Sequence, residues 1–573
     1  MSGDARDASA WLGGRLGALL PRRADYRAMR IAPQRDLIAG ITVGVVALPL
    51  ALAFGITSGL GAAAGLITAI VAGVVAAVFG GSNVQVSGPT GAMTVVLVPI
   101  VAQYGANGVL VVGLLAGLLL VVMALAGLGR YVRFIPLPVI EGFTLGIAVI
   151  IALQQVPAAL GVEGGGEQVV VGAARAVGEW LASPQWMSVL IAGGVAAVMI
   201  VAARLRIKPA VPVALIAVVV ATLAAQVGDL EVATIGALPS TLPAPTLPGF
   251  TWADLRILAA PAVAVAALAA LESLLSASVA DAMSVSQRHD PDRELFGQGL
   301  ANLASPLFGG IPATAAIART AVNVRTGAVS RLAAVVHSVV LLVVVLALGT
   351  VVGLIPLAAL AGVLIATALR MVEVSSLRVL LHSGRSDALV LGVTFVATVV
   401  LDLATAVILG IVAAGALALR QVARSATLTE TPLAAVGGTD THTEQERHLL
   451  DEHIVAFRFE GPLFFAGAHS ALLELAEVSD IRVVILRLSH LTTLDATGAA
   501  VLSDTIRSLE HRGITVLISG LPDRFAPRLE ATGILARLAD QNHVFDHTPD
   551  AIAHARRRPP LGGLMPTPRG DVG

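Results

Sequence analysis

The chain has 573 residues, 56% of them hydrophobic and only 13% charged, with no cysteine. Soluble globular domains carry roughly 25% charged residues, so this composition excludes an ordinary soluble enzyme and a disordered protein. The balance of 37 Lys and Arg against 38 Asp and Glu excludes a global basic field for nucleic acid, and the missing thiols exclude disulfides, thiolate catalysis and cysteine-ligated metal.

Residues 1–36 are polar and hold Arg6, Arg15, Arg22, Arg23, Arg27, Arg30 and Arg35. No apolar h-region with a cleavage site precedes the first long span, so this segment reads as a cytosolic Arg-rich tail rather than a signal peptide. Residues 37–420 read as a transmembrane domain. A crossing takes about 20 apolar residues. Spans are expected near 37–58, 62–80, 89–103, 107–128, 136–157, 186–203 and 210–227. A second set is expected near 256–280, 294–308, 313–324, 329–352, 355–371, 386–402 and 404–420. Several of these are too short for a simple crossing, and the count of fourteen leans on the resemblance described below.

Charge orients the spans, because cytosolic loops are enriched in Arg and Lys. With the N-terminus inside, Arg130, Arg133, Arg204, Arg206 and Lys208 fall inside, followed by Arg288, Arg293, Arg325, Arg331, Arg370, Arg378 and Arg385. The outer loops then hold Glu163, Glu167, Asp229 and Glu231, with Arg175 the exception. An even number of spans returns the C-terminal part to the cytosol, which predicts a multi-pass protein of the inner (plasma) membrane with both termini cytoplasmic.

Two segments are broken. Gly80-Gly81 leads into Val84–Gly91 through Pro89 and Thr90, and Gly309-Gly310 leads into Ile311–Thr314 through Pro312. They hold the third place in each set of seven. Interrupted hydrophobic segments in matching places of two halves point to a transporter site. A helix N-terminus has N–H groups without intrahelical partners and a positive dipole end, so two such ends meeting at mid-membrane would cradle an anion. Helix ends at that depth are tolerated only where they line a cavity or are buried in protein.

Glu272 stands in the apolar run 259–276, where a carboxylate costs roughly 2.5–3.5 kcal/mol or more, which makes it a functional candidate. Ser276 lies one turn on along the same helix face. Arg319, in the second broken segment, is the expected partner of Glu272 or of an anion, since a guanidinium binds oxyanions bidentately. Glu141, Asp281 and Asp402 read as residues of span ends or turns, and His337 as a core histidine. No metal-binding or nucleotide-binding motif is present, and no cofactor is expected.

After a linker over 421–450, residues 451–557 change to an α/β pattern, with residues 558–573 as a flexible tail. Strands are expected at 453–459, 482–488 and 513–519, and helices near 467–477, 496–511 and 523–533. Asp495 stands where a strand turns into a helix, a place where a carboxylate complements the dipole.

The chain resembles the SulP family of anion permeases, kin to eukaryotic sulfate transporters, pendrin and prestin, and its tail resembles a STAS domain. The resemblance runs from about Arg35 to Arg557. It is carried by Val46–Gly55, Gln85–Gly91, Pro138–Thr144, Leu271–Leu275, Gly309–Pro312 and Ala318–Thr320, and in the tail by Glu460–Phe465 and Leu494–Gly498. It implies a polytopic α-helical fold of fourteen segments, arranged as two inverted seven-segment repeats in core and gate domains, with a cytosolic α/β STAS domain. It also implies an anion site between the N-termini of segments 3 and 10. By position, Thr90 is an expected anion contact, as are Ala316 and Ile317 through their backbone N–H groups. Glu272 takes the place of the segment 8 acid, with Ser276 beside it, and Arg319 that of the basic residue of sulfate-type and animal members. Sodium-coupled bicarbonate members usually show an Asp and a Thr on segment 8 and lack the Arg. Leu50 and Phe54 stand where many eukaryotic sulfate members have Gln and Tyr.

The reading is a secondary active transporter, not an enzyme, taking up a small inorganic anion, most directly sulfate, together with a proton. Bicarbonate and a dicarboxylate such as fumarate remain alternatives, and a membrane-anchored STAS signalling or scaffold protein is the rival of a different class. The expected partners are the anion, a proton, the lipid bilayer and a second copy of the chain as a homodimer.

Overall fold

A computed structural model describes residues 14–162, 169–205, 211–239, 241–284, 288–401, 403–424, 427–430, 453–464 and 481–557. It divides into two compact units, Met1–Ala414 and Gly415–Gly573.

The first unit is helical, and every expected span falls on a helix. In chain order these are α1 (Pro33–Thr57), α2 (Ala62–Phe79), α3 (Gly91–Leu125), α4 (Leu137–Gln154), α5 (Trp186–Arg204) and α6 (Val213–Val227). Then follow α7 (Trp252–Met283), α8 (Pro291–Leu307), the short α9 (Ile317–Arg325), α10 (Leu332–Gly353), α11 (Leu357–Met371), α12 (Arg385–Val400) and α13 (Leu403–Arg424). Among the described residues, nine helices are long and apolar enough to cross a membrane. Leu190, Val263, Val343 and Ile408 are more than half exposed on these helices. That outward apolar surface suits lipid, which imposes no hydrophobic penalty.

The spans expected at 89–103 and 107–128 form the two arms of α3. The break is Gly105, whose φ of 68° and ψ of −175° interrupt the helix; a left-handed φ of this kind costs glycine nothing. Additional helices at Val169–Ala182 and Val374–Ser383 fall outside the expected spans. Each is amphipathic rather than uniformly apolar, so a search for long apolar runs passes over it.

The broken segments are not simple helix starts. Residues Ser87–Gly88 (β1) pair antiparallel with Thr314–Ala315 (β2). Helix α3 begins at Gly91, two residues past Pro89, but α9 begins at Ile317, five residues past Pro312. Pro312 therefore does not open its helix. The chain stays extended because its backbone polar groups, buried away from water, find partners across the β1–β2 pair.

The second unit carries a five-stranded sheet of order β3 (Thr427–Glu430), β4 (Ile454–Leu463), β5 (Val483–Leu494), β6 (Thr515–Ser519) and β7 (Val544–Phe545). β3 is antiparallel to β4, and the remaining pairs are parallel. Alternating side chains feed two cores. One face packs on α14 (Ala496–His511) through Leu502, Ile506 and Leu509, and the other packs on α15 (Thr548–Arg557) through Ala551 and Ala555. Asp495 is the N-cap of α14 and accepts from the Gly498 N–H at 2.7 Å. The helix expected at 523–533 is instead a short 3-10 turn, Asp523–Phe525, followed by Ala526–Glu530. The helix expected at 467–477, most of the 421–450 linker and the 558–573 tail lie outside the described residues, as do Glu163, Glu167, Arg206, Lys208 and Asp402.

Candidate functional site

The two broken segments meet at Glu272, near the middle of α7. Its Oε2 accepts hydrogen bonds from the Thr90 hydroxyl at 2.8 Å and the Thr314 hydroxyl at 2.6 Å. The two hydroxyl oxygens are 3.1 Å apart. Thr90 is the N-cap of α3 and accepts from the Met93 N–H at 3.4 Å. Thr314 lies in β2 and is fully buried. One carboxylate oxygen thus bridges the starts of both broken segments.

Arg319, in the first turn of α9, is 2% exposed. Its Nη2 donates to the carbonyl of Pro89, and its Nη1 finds no acceptor. The guanidinium lies against Gly88, where an added Cβ would come within 2.7 Å of Nη1 and where φ is +155°. Glycine is required there by both backbone conformation and space. The expected ion pair with Glu272 is not formed: no nitrogen of Arg319 comes within 4.0 Å of a carboxylate among the described residues. The pull of the Pro89 carbonyl and the two threonine donors on Glu272 satisfy the groups separately. A buried cation with an unspent N–H remains, and such groups are rare enough to demand an explanation.

Ala316 is also placed differently from the expectation. Its N–H donates to the Val86 carbonyl at 3.0 Å, continuing the β1–β2 pairing, so it is already used. Ile317, the first residue of α9, keeps the position expected of an anion donor, because first-turn N–H groups have no intrahelical acceptor. Ser276 does not reach Glu272. Its hydroxyl donates to Thr320 at 3.2 Å, and Thr320 accepts from the Val86 N–H at 3.1 Å, which ties α7 to α9 and to the approach to β1. The opposite wall comes from α1 and α4: a Cβ on Gly91 would clash with Cδ1 of Ile151 and lie 3.2 Å from Cε1 of Phe54.

The frame behind the site rests on residues that sequence reasoning passed over. Helix α8 carries Glu294, Gln298 and Asn302 at four-residue spacing, all buried. Glu294 Oε2 accepts from the N–H groups of Gly81 and Ser82 at 2.8 and 3.2 Å. Gln298 donates to Ser87 Oγ at 2.7 Å. The Asn302 side chain closes a two-way pair with the Ala313 N–H and C=O, each at 2.8 Å. Thr68 of α2 accepts from Ile311 N–H at 2.7 Å. Asn323 donates to the Val84 carbonyl at 2.7 Å. All but Gln298 supply a partner to irregular backbone that water cannot reach, and Gln298 holds the Ser87 side chain. The signal was legible in principle: three amide or acid side chains four apart on a span share one face.

The peripheral acids are satisfied locally. Glu141 accepts from Ser376 at 2.7 Å, and Asp281 accepts from the His289 N–H at 3.1 Å. His337 is fully buried, with Nδ1 3.5 Å from Ser338 Oγ and Nε2 without a partner.

Comparison with known proteins supplies the family. The model of the sulfate permease family matches residues 34–394, and that of the STAS domain matches residues 449–551. The protein of Bacillus subtilis named "Putative sulfate transporter YvdB" is 36% identical over 528 residues, covering 90% of this chain and 96% of that protein. The bicarbonate transporter BicA of Synechocystis sp. is 31% identical over 537 residues, covering 91% and 94%. The structure of the murine anion transporter Slc26a9 in its inward-facing state superposes with a TM-score of 0.78 at 16% identity, covering 95% of each chain, which establishes the shared fold. The chain is a multi-pass membrane protein that belongs to the sulfate permease family and ends in a STAS domain.

Proposed function

We propose that this chain is a proton-coupled secondary transporter of a small inorganic anion, sulfate in the first instance, working across the inner membrane with both termini in the cytoplasm. The observation that carries the reading is the meeting of two broken segments at one half-buried carboxylate, beside a buried guanidinium with an unspent N–H. A membrane anchor for a signalling domain needs none of these groups, and burying them is costly. An anion placed between the starts of α3 and α9 meets two helix N-termini and Nη1 of Arg319.

The coupling follows from hydrogen-bond accounting. With the site empty, both threonine hydroxyls turn their protons to Glu272. An anion entering between the helix ends competes for those hydroxyls and sets a second negative charge beside the carboxylate. A proton on Glu272 removes that repulsion and replaces the lost donors. Anion and proton therefore favour each other, and by linkage each raises the affinity for the other. Ser276 acts as a positioning residue through Thr320. Alternating access moves the core domain against the gate domain. The STAS domain supports homodimer assembly and takes no part in the chemistry.

A second reading, bicarbonate as the anion, is supported by the similarity to BicA. Uptake of radiolabelled sulfate, bicarbonate and fumarate into proteoliposomes, each competed with the other anions unlabelled, decides between them. Sulfate competing at the lowest concentration supports the reading; stronger competition by bicarbonate or fumarate replaces sulfate as the substrate; and no uptake of any of them contradicts transport.

A further inference from the structure

Two arginines stand side by side inside the STAS domain. Strands β4 and β5 run parallel with Arg458 opposite Arg487. Alternation sends both to the face covered by α15. Ile454, Ala456, Val483 and Ile485 precede them on that face and pack with Ala551 and Ala555, whereas Val455, Phe457, Val484 and Leu486 point to the other core. Neighbouring strands lie about 4.8 Å apart, so two guanidinium groups leave the sheet as immediate neighbours, and like charges directly opposite one another are destabilising.

The two arginines are not equally compensated. Arg458 Nη1 has Glu460 Oε1 at 3.3 Å. Arg487 has no carboxylate within ion-pair range among the described residues. Its Nε and Nη1 are shielded from solvent without a hydrogen bond, as is Nε of Arg458. Burial and the neighbouring Arg458 both hold the Arg487 guanidinium below its ordinary pKa, as expected for a cation without its counter-ion. The next strand places Ser519 opposite Arg487. The Ser519 hydroxyl is 3.1 Å from Thr548 Oγ1, at the first residue of α15. Ser519 is the last residue of β6. The cluster lies where β6 ends, while β4 and β5 run on past their arginines.

We propose that Arg458, Arg487, Ser519 and Thr548 form a binding site for a tetrahedral oxyanion, a phosphate or sulfate group, on the α15 face of the STAS domain. The anion supplies the missing acceptors of Arg487 and relieves the repulsion between the two guanidinium groups, while the hydroxyls donate from the side. The group arrives either free in solution or as the headgroup of an anionic phospholipid. This site stands independently of the transport reading, since none of its residues belongs to the membrane unit.

Amide hydrogen exchange of the full chain in detergent tests it. Inorganic phosphate or sulfate, against chloride at equal ionic strength, is expected to slow exchange several-fold in peptides covering 483–488, 515–519 and 548–557. The protection persists in Arg319→Ala, which separates it from the membrane site, and disappears in Arg487→Met. If the free anions give none, the same protection in nanodiscs of phosphatidylglycerol but not phosphatidylcholine, lost in Arg487→Met, identifies the lipid headgroup. A guanidinium kept for a ligand also makes a second prediction: without anion, Arg487→Met melts no lower than the unsubstituted chain, because a half-buried charge without a counter-ion is removed. No protection by phosphate, sulfate or phosphatidylglycerol overturns the proposal. So does protection that survives in Arg487→Met, or a lowered melting temperature of that variant without anion.

Discussion

Thr90 and Thr314 are 224 positions apart in the chain, yet both hydroxyls donate to the same oxygen of Glu272. Thr314→Val keeps the shape of the side chain and removes one donor. A hydrogen bond to a charged group contributes about 1.5–3 kcal/mol, so anion affinity or uptake is expected to fall about tenfold or more. Thr314→Ser, which keeps the hydroxyl, should retain most of the activity. Equal loss in both variants would show that the methyl group, not the hydroxyl, matters.

The contact between Gly91 and Ile151 joins the start of α3 to α4. Gly91→Ala pushes on the tip of a flexible side chain, and overpacking of this kind typically costs about 1–3 kcal/mol. Uptake is expected to drop, and Ile151→Ala in the same chain to restore part of it. A double-mutant cycle of uptake rates checks this; additive losses would mean that the wall does not press on Gly91 during transport.

Helix α8 makes a separate prediction. Asn302→Leu leaves both the N–H and the C=O of Ala313 without their partner. Each unsatisfied buried group costs about 1–3 kcal/mol. The variant should melt several degrees lower in detergent and lose anion binding with it, although Asn302 touches neither Glu272 nor Arg319. Gln298→Leu should behave alike but more mildly, since Ser87 Oγ is a side-chain partner.

How much of this was legible in the sequence differs by layer. Apart from the short, polar α9, helices α1–α13 follow apolar stretches, and the broken segments announce themselves by Gly80-Gly81 and Gly309-Gly310. Glu272 and Arg319 stand out because charge in an apolar run is costly. Their partners were not legible. Whether Arg319 meets Glu272 or the Pro89 carbonyl depends on the four-residue extension between Pro312 and Ile317, and that extension is set by pairing with a strand 227 residues away in sequence. Ala316 fails as a donor for the same reason: its N–H is taken by Val86. Thr314 is legible only as the end of the second broken segment and not as a partner of Glu272, because a threonine in an apolar run carries no penalty that marks it.

The N-terminal segment gives a pH prediction. Asp25 Oδ2 lies 2.7 Å from Nη2 of Arg293 at the start of α8. Burial works to raise the Asp25 carboxyl, but hydrogen bonds from Arg293 and from the Arg22 N–H outweigh it and hold the group below its ordinary value. A depressed folded-state value contributes stability above the unfolded pKa, and that contribution is lost as pH falls through the folded value. Asp25→Asn should therefore melt lower than the unsubstituted chain at neutral pH, with the gap closing in acid below the usual carboxylate range. A gap that stays constant down to that range would show that the charge contributes nothing.

The central claim is that Glu272 carries the proton that accompanies the anion. Sulfate accumulation in proteoliposomes under imposed pH and sodium gradients, with the unsubstituted chain beside Glu272→Gln, tests it most directly. The account predicts accumulation driven by an inward proton gradient and indifferent to sodium. Glu272→Gln, which mimics the protonated acid, should still exchange anion but no longer accumulate it. Sodium-dependent accumulation indifferent to the pH gradient, or gradient-driven accumulation that survives in Glu272→Gln, would contradict it.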